Sequence, residues 1–388
     1  MNAGKTVFSQ VLGRVRHWEF QRLAQIHDRA DGRRQFSAWD HFLALAFAQM
    51  TFRESLRDIE ACLSTGGLAY HLGFRQRVTR STLARANDER DWRLPAALAH
   101  KLMHRARRLY QDEPNALDLE MPVYAVDSTL IDLSLALCPW ANWNGTDAAV
   151  KLHAALDLRG PLPAFLAVTT GEHGDVVWLD DLPIEPGSFY VMDRGYIDLR
   201  RLRRIDQAGA FFVIRERPDV RHYVAASRPV DRSTSLRADQ SIRFNGWDTP
   251  RHWPDLMRRV SIHDLEQSMR LAFWTNQWTL SAATISELYR QRWQIELFFR
   301  WVKQSLRIRT FYGTSPNAVR VQLWSAICVY LAIAITRKEL GLNTNLTTFV
   351  QVLSVHALSK VPIAELFTKL DTSRTHFDTP EQLTFNDL

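Results

Sequence analysis

The sequence predicts an α/β protein: a mixed-sheet core carrying a β-rich insertion, preceded by a helical region and followed by further helices. Three observations predict it. Residues 37–64 place apolar side chains at helical spacing. Residues 123–214 carry short apolar runs separated by turns, with one helix among them. Residues 218–276 turn polar, with scattered apolar positions and Trp247, Trp253 and Trp274. The chain has 388 residues, 46% hydrophobic and 23% charged, an ordinary globular composition that excludes a disordered or fibrous protein. That length supports about two to three domains.

The N-terminal helices come first. Phe42, Leu43, Leu45, Ala46, Phe47 and Met50, then Leu56, Ile59 and Leu63, form two helical stripes, and Gly66-Gly67 breaks the second. A basic stretch follows, from Arg75 through Arg77, Arg80, Arg85, Arg90 and Arg93 to Arg108, with Ser81-Thr82 as the expected N-cap of a helix through Leu83 and Ala86. Short helices ending in a basic one suit a helix-turn-helix-like DNA-binding module. A solvated helical face accounts for the same residues equally well.

Charge sharpens this only slightly. The chain holds 49 Lys and Arg against 42 Asp and Glu, a net charge of +7, which favours a polyanionic partner. Seven of the basic residues are Lys and the other 42 are Arg, a bias that a GC-rich coding genome produces as readily as phosphate binding does. Residues 1–118 carry 19 basic and 13 acidic residues and so most of the excess. Cys62, Cys138 and Cys328 are far apart with no CxxC pair, which argues against a disulfide framework or zinc site and for a reducing cytoplasm. The N-terminus lacks the apolar run of a signal peptide, and the apolar stretch Ala326 to Ile335 reads as too short to span a bilayer.

After a linker at 112–115 the core begins. Val123 to Val126 is an apolar strand ending in Asp127; Leu152 to Leu158 and Phe165 to Thr170 are strands joined by a turn at Arg159-Gly160-Pro161. Ser188 to Met192 is a strand ending in Asp193, Leu199 to Gln207 a helix, and Ala210 to Ile214 a fifth strand. Ser281 to Leu306 reads as one long helix, followed by an apolar helix over Val319 to Ile335; the tail from Ser373 onward is polar.

Three carboxylates stand out. Asp127 and Asp193 end strands, a position that a turn alone would explain. Glu296 is more telling. At about 100° per residue, Tyr289, Arg292, Glu296 and Lys303 share an arc of about 60° on a helix otherwise mostly apolar. A polar stripe on a buried helix must face something polar. An i,i+4 pair between Arg292 and Glu296 is the bland alternative, but in the weaker order, and it leaves Tyr289 and Lys303 unexplained. Three carboxylates from separate elements can hold two hard divalent cations for in-line phosphoryl transfer. Arg292 and Lys303 would neutralise phosphate charge, and Tyr289 would bond a phosphate or stack on a base. Asp132 and Asp147 read as turn residues and Asp175 as a group supporting the site. His153 and His173 read as ordinary histidines.

The pattern Tyr289-x2-Arg292-x3-Glu296-x6-Lys303 resembles the Y-R-E-K signature of insertion-sequence DDE transposases of the insertion-sequence-four family. Asp127 in A-V-D-S-T and Asp193 in V-M-D-R-G-Y resemble that family's aspartate motifs, and Thr275-Asn276 fits its pattern before the helix. R-Q-F-S-A-W-D-H-F at 34–42 and R-S-T-L-A-R-A-N at 80–87 are similar to the helical domain of one of its branches. The resemblance implies an RNase H-like core over 119–217 and 277–345, interrupted by a β-rich insertion at 218–276. A helical DNA-binding region over 1–118 would precede it, and a C-terminal helical region and tail over 346–388 would follow. It implies Asp127, Asp193 and Glu296 as catalytic and metal-binding residues, with Tyr289, Arg292 and Lys303 on DNA. The implied cofactor is Mg²⁺ or Mn²⁺ in a two-metal site. The implied partners are terminal inverted repeats and target DNA, bound by a homodimer in a bacterial, nucleoid-associated setting with no membrane. Some members form a hairpin end and flip a base onto an aromatic, which the sequence leaves unplaced among Trp247, Trp253 and Trp274. The rival readings are an RNase H-like nuclease that only hydrolyses DNA and an inactive or regulatory DNA-binding protein derived from a transposase.

Overall fold

A computed structural model describes residues 4–28, 35–65, 67–74, 77–113, 117, 119–160, 162–231, 233–264, 269–305 and 311–367. The polar tail from Ser373 lies outside the described residues. The chain forms two compact units, one of residues 1–102, 310–313 and 317–388, the other of residues 103–309 and 314–316.

The first unit opens with α1 (Val7–Leu12), α2 (His17–His27), α3 (Ala38–Met50), α4 (Leu56–Leu63), α5 (Leu68–His71) and α6 (Arg80–Glu89). The third and fourth begin at capping boxes, Ser37 with Asp40 and Ser55 with Asp58, which satisfy amides at each first turn. The cap of α6 is Thr79, not the expected Ser81-Thr82: its hydroxyl accepts from the Thr82 amide, because Thr79 is the last residue with extended backbone. Next, α7 (Arg93–Tyr110) follows directly.

Among the described residues, the second unit is built on one nine-stranded mixed sheet. Its strands are β1 (Val123–Leu133), β2 (Ala148–Asp157), β3 (Leu162–Thr170), β4 (Phe189–Met192), β5 (Phe211–Arg215), β6 (His222–Arg228), β7 (Leu236–Phe244), β8 (Met257–Asp264) and β9 (Met269–Thr275), in the order β3-β2-β1-β4-β5-β9-β8-β7-β6. Among the described residues, only β1-β4 and β4-β5 pair in parallel. Between the strands lie α8 (Asp175–Trp178), α9 (Leu199–Gln207) and α10 (Thr249–His252). Strands β6 to β9 extend the central sheet rather than standing apart from it, with β9 antiparallel to β5. A single core runs under both parts. Tyr124, Val126, Tyr190, Met192, Phe212 and Ile214 pack with Leu202 and Ile205 of α9, and with Trp253 and Trp274.

Two expectations about β1 and the Glu296 helix are corrected. Asp127 lies inside β1 rather than at its end, since the ladder with β2 continues from Tyr124↔Asp157 to Leu133↔Ala148 and pairs polar residues that the apolar run omitted. The single helix Ser281 to Leu306 is two, α11 (Ala282–Arg290) and α12 (Trp293–Ser305). At the break, amides reach back three residues: Arg292 to Tyr289 at 3.0 Å, Gln294 to Gln291 at 3.1 Å and Ile295 to Arg292 at 3.0 Å. Such tight turns inside a helical run often mark function.

The remaining helices, α13 (Pro316–Glu339) and α14 (Leu346–His356), cluster from Asn317 onward with the first unit, although the sequence placed residues up to 345 in the core. By length and composition α13 is able to cross a membrane, which corrects the view that its apolar run is too short: the helix continues beyond that run at both ends. Ninety-four per cent of its apolar window is buried inside the protein, as for a core helix.

Candidate active site

Parallel pairing of β1 with β4 ends at Val126↔Met192, so Asp127, within β1, and Asp193, just past the end of β4, occupy the next positions on neighbouring chain segments. The Asp127 Oδ1 accepts from the Ser128 amide at 2.8 Å. The Asp193 Oδ1 accepts from the Gly195 amide at 2.8 Å, starting a tight turn over Arg194–Tyr196; a Cβ at Gly195 would meet that oxygen at 3.0 Å.

Glu296 reaches the pair from α12, which packs on β1. Arg292 is the bridge. Its Nη1 donates to Asp127 Oδ2 at 3.0 Å and its Nη2 to Glu296 Oε1 at 2.5 Å. The i,i+4 pair and the site are therefore one arrangement, because the break before Trp293 frees Arg292 to serve both carboxylates. Burial pushes Asp127 up to about 6; the Ser128 amide and Arg292 oppose the shift, while Asp193 and Glu296 add to it. Burial works against the Arg292 charge, but Tyr289, Asp127 and Glu296 outweigh it and hold the guanidinium above its usual value.

Tyr289 lies against this arginine, 5.8 Å from guanidinium carbon to ring centre, and packs on Phe273 at 4.4 Å. Burial pushes its phenol above the usual range. The structure thus brings Tyr289, Arg292, Glu296, Asp127 and Asp193 together. Lys303 is exposed seven residues further along α12, with no hydrogen bond or ion pair to the carboxylates among the described residues.

Behind β1 lies a polar cluster that the sequence only touched on. Ser128 donates to Asp175 Oδ1 at 2.6 Å, Lys151 pairs with the same carboxylate at 3.0 Å, and Lys151 also donates to the His173 carbonyl at 2.8 Å. The sequence singles out Asp175 but not Ser128 or Lys151, which come to it from β1 and β2 through the fold. His153 is buried against Trp178 and burial lowers it to about 4, so it is an uncharged core histidine. Asp147 bonds Asn144 and Thr146 in a loop, whereas Asp132 is exposed on β1 and not in a turn. Asn276 is a brace: its Oδ1 accepts from the Phe212 amide at 3.0 Å, and its Nδ2 donates to Asp206 and the Ala210 carbonyl, each at 2.9 Å. Of the three candidate tryptophans, Trp253 and Trp274 are core, and Trp247 is fully exposed.

Among the described residues no three His, Cys, Asp or Glu side chains are drawn into a closed metal-binding group. The donor chemistry nevertheless fits a hard divalent cation: one carboxylate from β1, one just past the end of β4 and a third from a helix offer only oxygen, and a cationic group already lies between two of them.

Residues 118–332 match a family model described as a transposase DDE domain, and residues 3–75 match one described as a domain of unknown function. The chain is 31% identical over 268 residues to "Probable transposase for insertion sequence element IS5377" of Geobacillus stearothermophilus, covering 67% of each protein. It is 32% identical over 217 residues to "Putative transposase y4zB" of Sinorhizobium fredii, covering 55% of this chain and 60% of that one. It is 22% identical over 271 residues to "Putative transposase for insertion sequence element IS4SA" of Synechocystis, covering 68% and 74%. DDE domains of this kind use divalent metal ions. More than half of the chain lies within the first model, over the residues that carry the three carboxylates, and the chain belongs to the DDE-domain family of insertion-sequence transposases.

Proposed function

We propose that this protein excises and reinserts its element by cutting and rejoining DNA, with Asp127, Asp193 and Glu296 as the catalytic triad. One observation carries the reading: Asp127 and Asp193 each follow the last parallel pair of β1 with β4, and Arg292 ties Glu296 to Asp127. In this reading the central strands form an RNase H-like core and the chain is of the insertion-sequence-four type.

The three carboxylates would hold Mg²⁺ or Mn²⁺ in a two-metal site. When bound, such ions activate the attacking oxygen and stabilise the leaving one in phosphoryl transfer. The chain's own residues do the rest. Asp127 and Asp193 are fixed by the Ser128 and Gly195 amides, so their carboxylates are oriented before substrate arrives. Arg292 turns from the carboxylates to a phosphate oxygen, and Lys303, exposed on α12, meets a second phosphate. Tyr289 is held by Phe273 so that its ring supports Arg292 from one side.

The helical region would hold the terminal inverted repeats, and two copies would pair two ends. Of Trp247, Trp253 and Trp274, Trp247 is the exposed one and would be open to a flipped base. The test is a strand-transfer assay on paired end duplexes with Glu296→Gln. Loss of both nicking and joining, with end binding retained, is the expected result; joining at the wild-type rate would remove Glu296 from the mechanism.

A further inference from the structure

One face of α6 lines an open cavity of about 560 Å³ within the first unit. Thr82, Arg85, Ala86 and Glu89, spaced as a single helical face, form one wall; Arg77 lies just before the helix, and Gln35 and Phe36 close the other side.

The walls are fixed to each other. Arg90, which ends α6, is buried and pairs with Asp28 at 2.9 Å, and it also donates to the Phe36 carbonyl. Its charge is consumed by Asp28. Breaking such a buried pair is strongly destabilising, so the cavity is a built feature rather than a fold between loose loops.

Arg77 and Arg85 differ from Arg90. Both are exposed, and among the described residues neither makes an ion pair. Two arginines free of carboxylates at one cavity, beside the Thr82 hydroxyl, are the donor set of a phosphate site. Among the described residues Glu89 is the single carboxylate on the lining, and it sits two turns from Thr82 along the helix.

We propose that this cavity seats a backbone phosphate of duplex DNA between Arg77 and Arg85, with Thr82 donating to it and Glu89 limiting its affinity. The proposal rests on the reading of DNA as substrate, and Arg77, Thr82, Arg85 and Glu89 lie outside both family-model matches, which cover residues 3–75 and 118–332.

The experiment is fluorescence anisotropy of the full chain on an end duplex in EDTA, so that cleavage plays no part, over a series of salt concentrations. Arg77→Ala/Arg85→Ala should bind about tenfold more weakly at about 0.1 M salt, with the slope of log K against log salt reduced by about 1. Arg77→Lys/Arg85→Lys should restore the slope, and Glu89→Gln should tighten binding. Arg57→Ala, an exposed arginine of α4 outside the cavity, should leave both unchanged. An unchanged slope in the double alanine variant, with wild type binding DNA, overturns the phosphate site alone; absence of DNA binding by the wild type overturns the site and the substrate reading together. Thermal stabilisation by inorganic phosphate that the double variant loses, without any change in DNA binding, would assign the cavity to a free anion and overturn the proposal.

Discussion

Arg292 stands between Asp127 and Glu296, donating to one carboxylate at 3.0 Å and to the other at 2.5 Å. A guanidinium there balances charge that the site would otherwise hold unshielded, and it occupies the position where an incoming cation would be attracted. Removing it should therefore help metal and harm DNA. Arg292→Ala is expected to bind Mn²⁺ about tenfold more tightly, or about 1.4 kcal/mol, and to engage a cleaved end less well. Calorimetric titration of Mn²⁺ checks the first part; affinity equal to or below that of wild type would contradict it.

Asp127 gives this site a pH signature. Its folded-state value of about 6 is raised chiefly by burial, and a cation binds the ionised form. Metal affinity should hold steady above pH 7 and fall by up to about tenfold per unit as pH drops below about 6. Mn²⁺ titrations at several pH values test this, and a flat response between pH 5 and 7 would show that Asp127 is not a ligand.

A separate pH effect falls on stability. His41 is fully buried beside Arg90 and bonded to Asn87 at 2.7 Å; burial first, then Arg90, lower it to about 3. The unfolded histidine takes a proton near its ordinary value of 6.5 while the folded one does not, so stability is complete above that pH. It is lost as pH falls from 6.5 towards about 3, at a limit of about 1.4 kcal/mol per unit. Urea unfolding at pH 7.5 and 5.5 should show this loss in wild type and a smaller one in His41→Gln.

Asn276 braces the start of β5 through three hydrogen bonds, and Asn276→Ala would leave the buried Phe212 amide unpaired. A loss of about 2–3 kcal/mol in unfolding free energy is expected, with Mn²⁺ affinity unchanged. A stable variant with weakened metal binding would instead move Asn276 into the site.

The sequence carried the local structure well where the signal was local. Helix α9 spans the residues expected, Leu199–Gln207, because Leu199, Leu202 and Ile205 fall on one face and Asp198 caps it. Asp193 follows its strand as expected because β4 is a fully buried apolar run. What failed depended on distant partners. The break at Gln291-Arg292 serves a contact with Asp127, 165 positions earlier, which no periodicity encodes. The full length of β1 is set by its ladder with β2, and residues 218–276 join the central sheet because Trp274 and Phe244 share its core. The cap of α6 was misplaced by two or three residues because Thr79, Ser81 and Thr82 are equally good capping types, and only the backbone turn distinguishes them.

The most direct test of the carboxylate triad is cleavage of the element's own end duplex by wild type and Asp193→Asn, each in Mg²⁺ and in EDTA. The account predicts cutting at the end by wild type in Mg²⁺ alone, and none by Asp193→Asn although it still binds the duplex. Mg²⁺-dependent cutting by Asp193→Asn at the wild-type rate would contradict it.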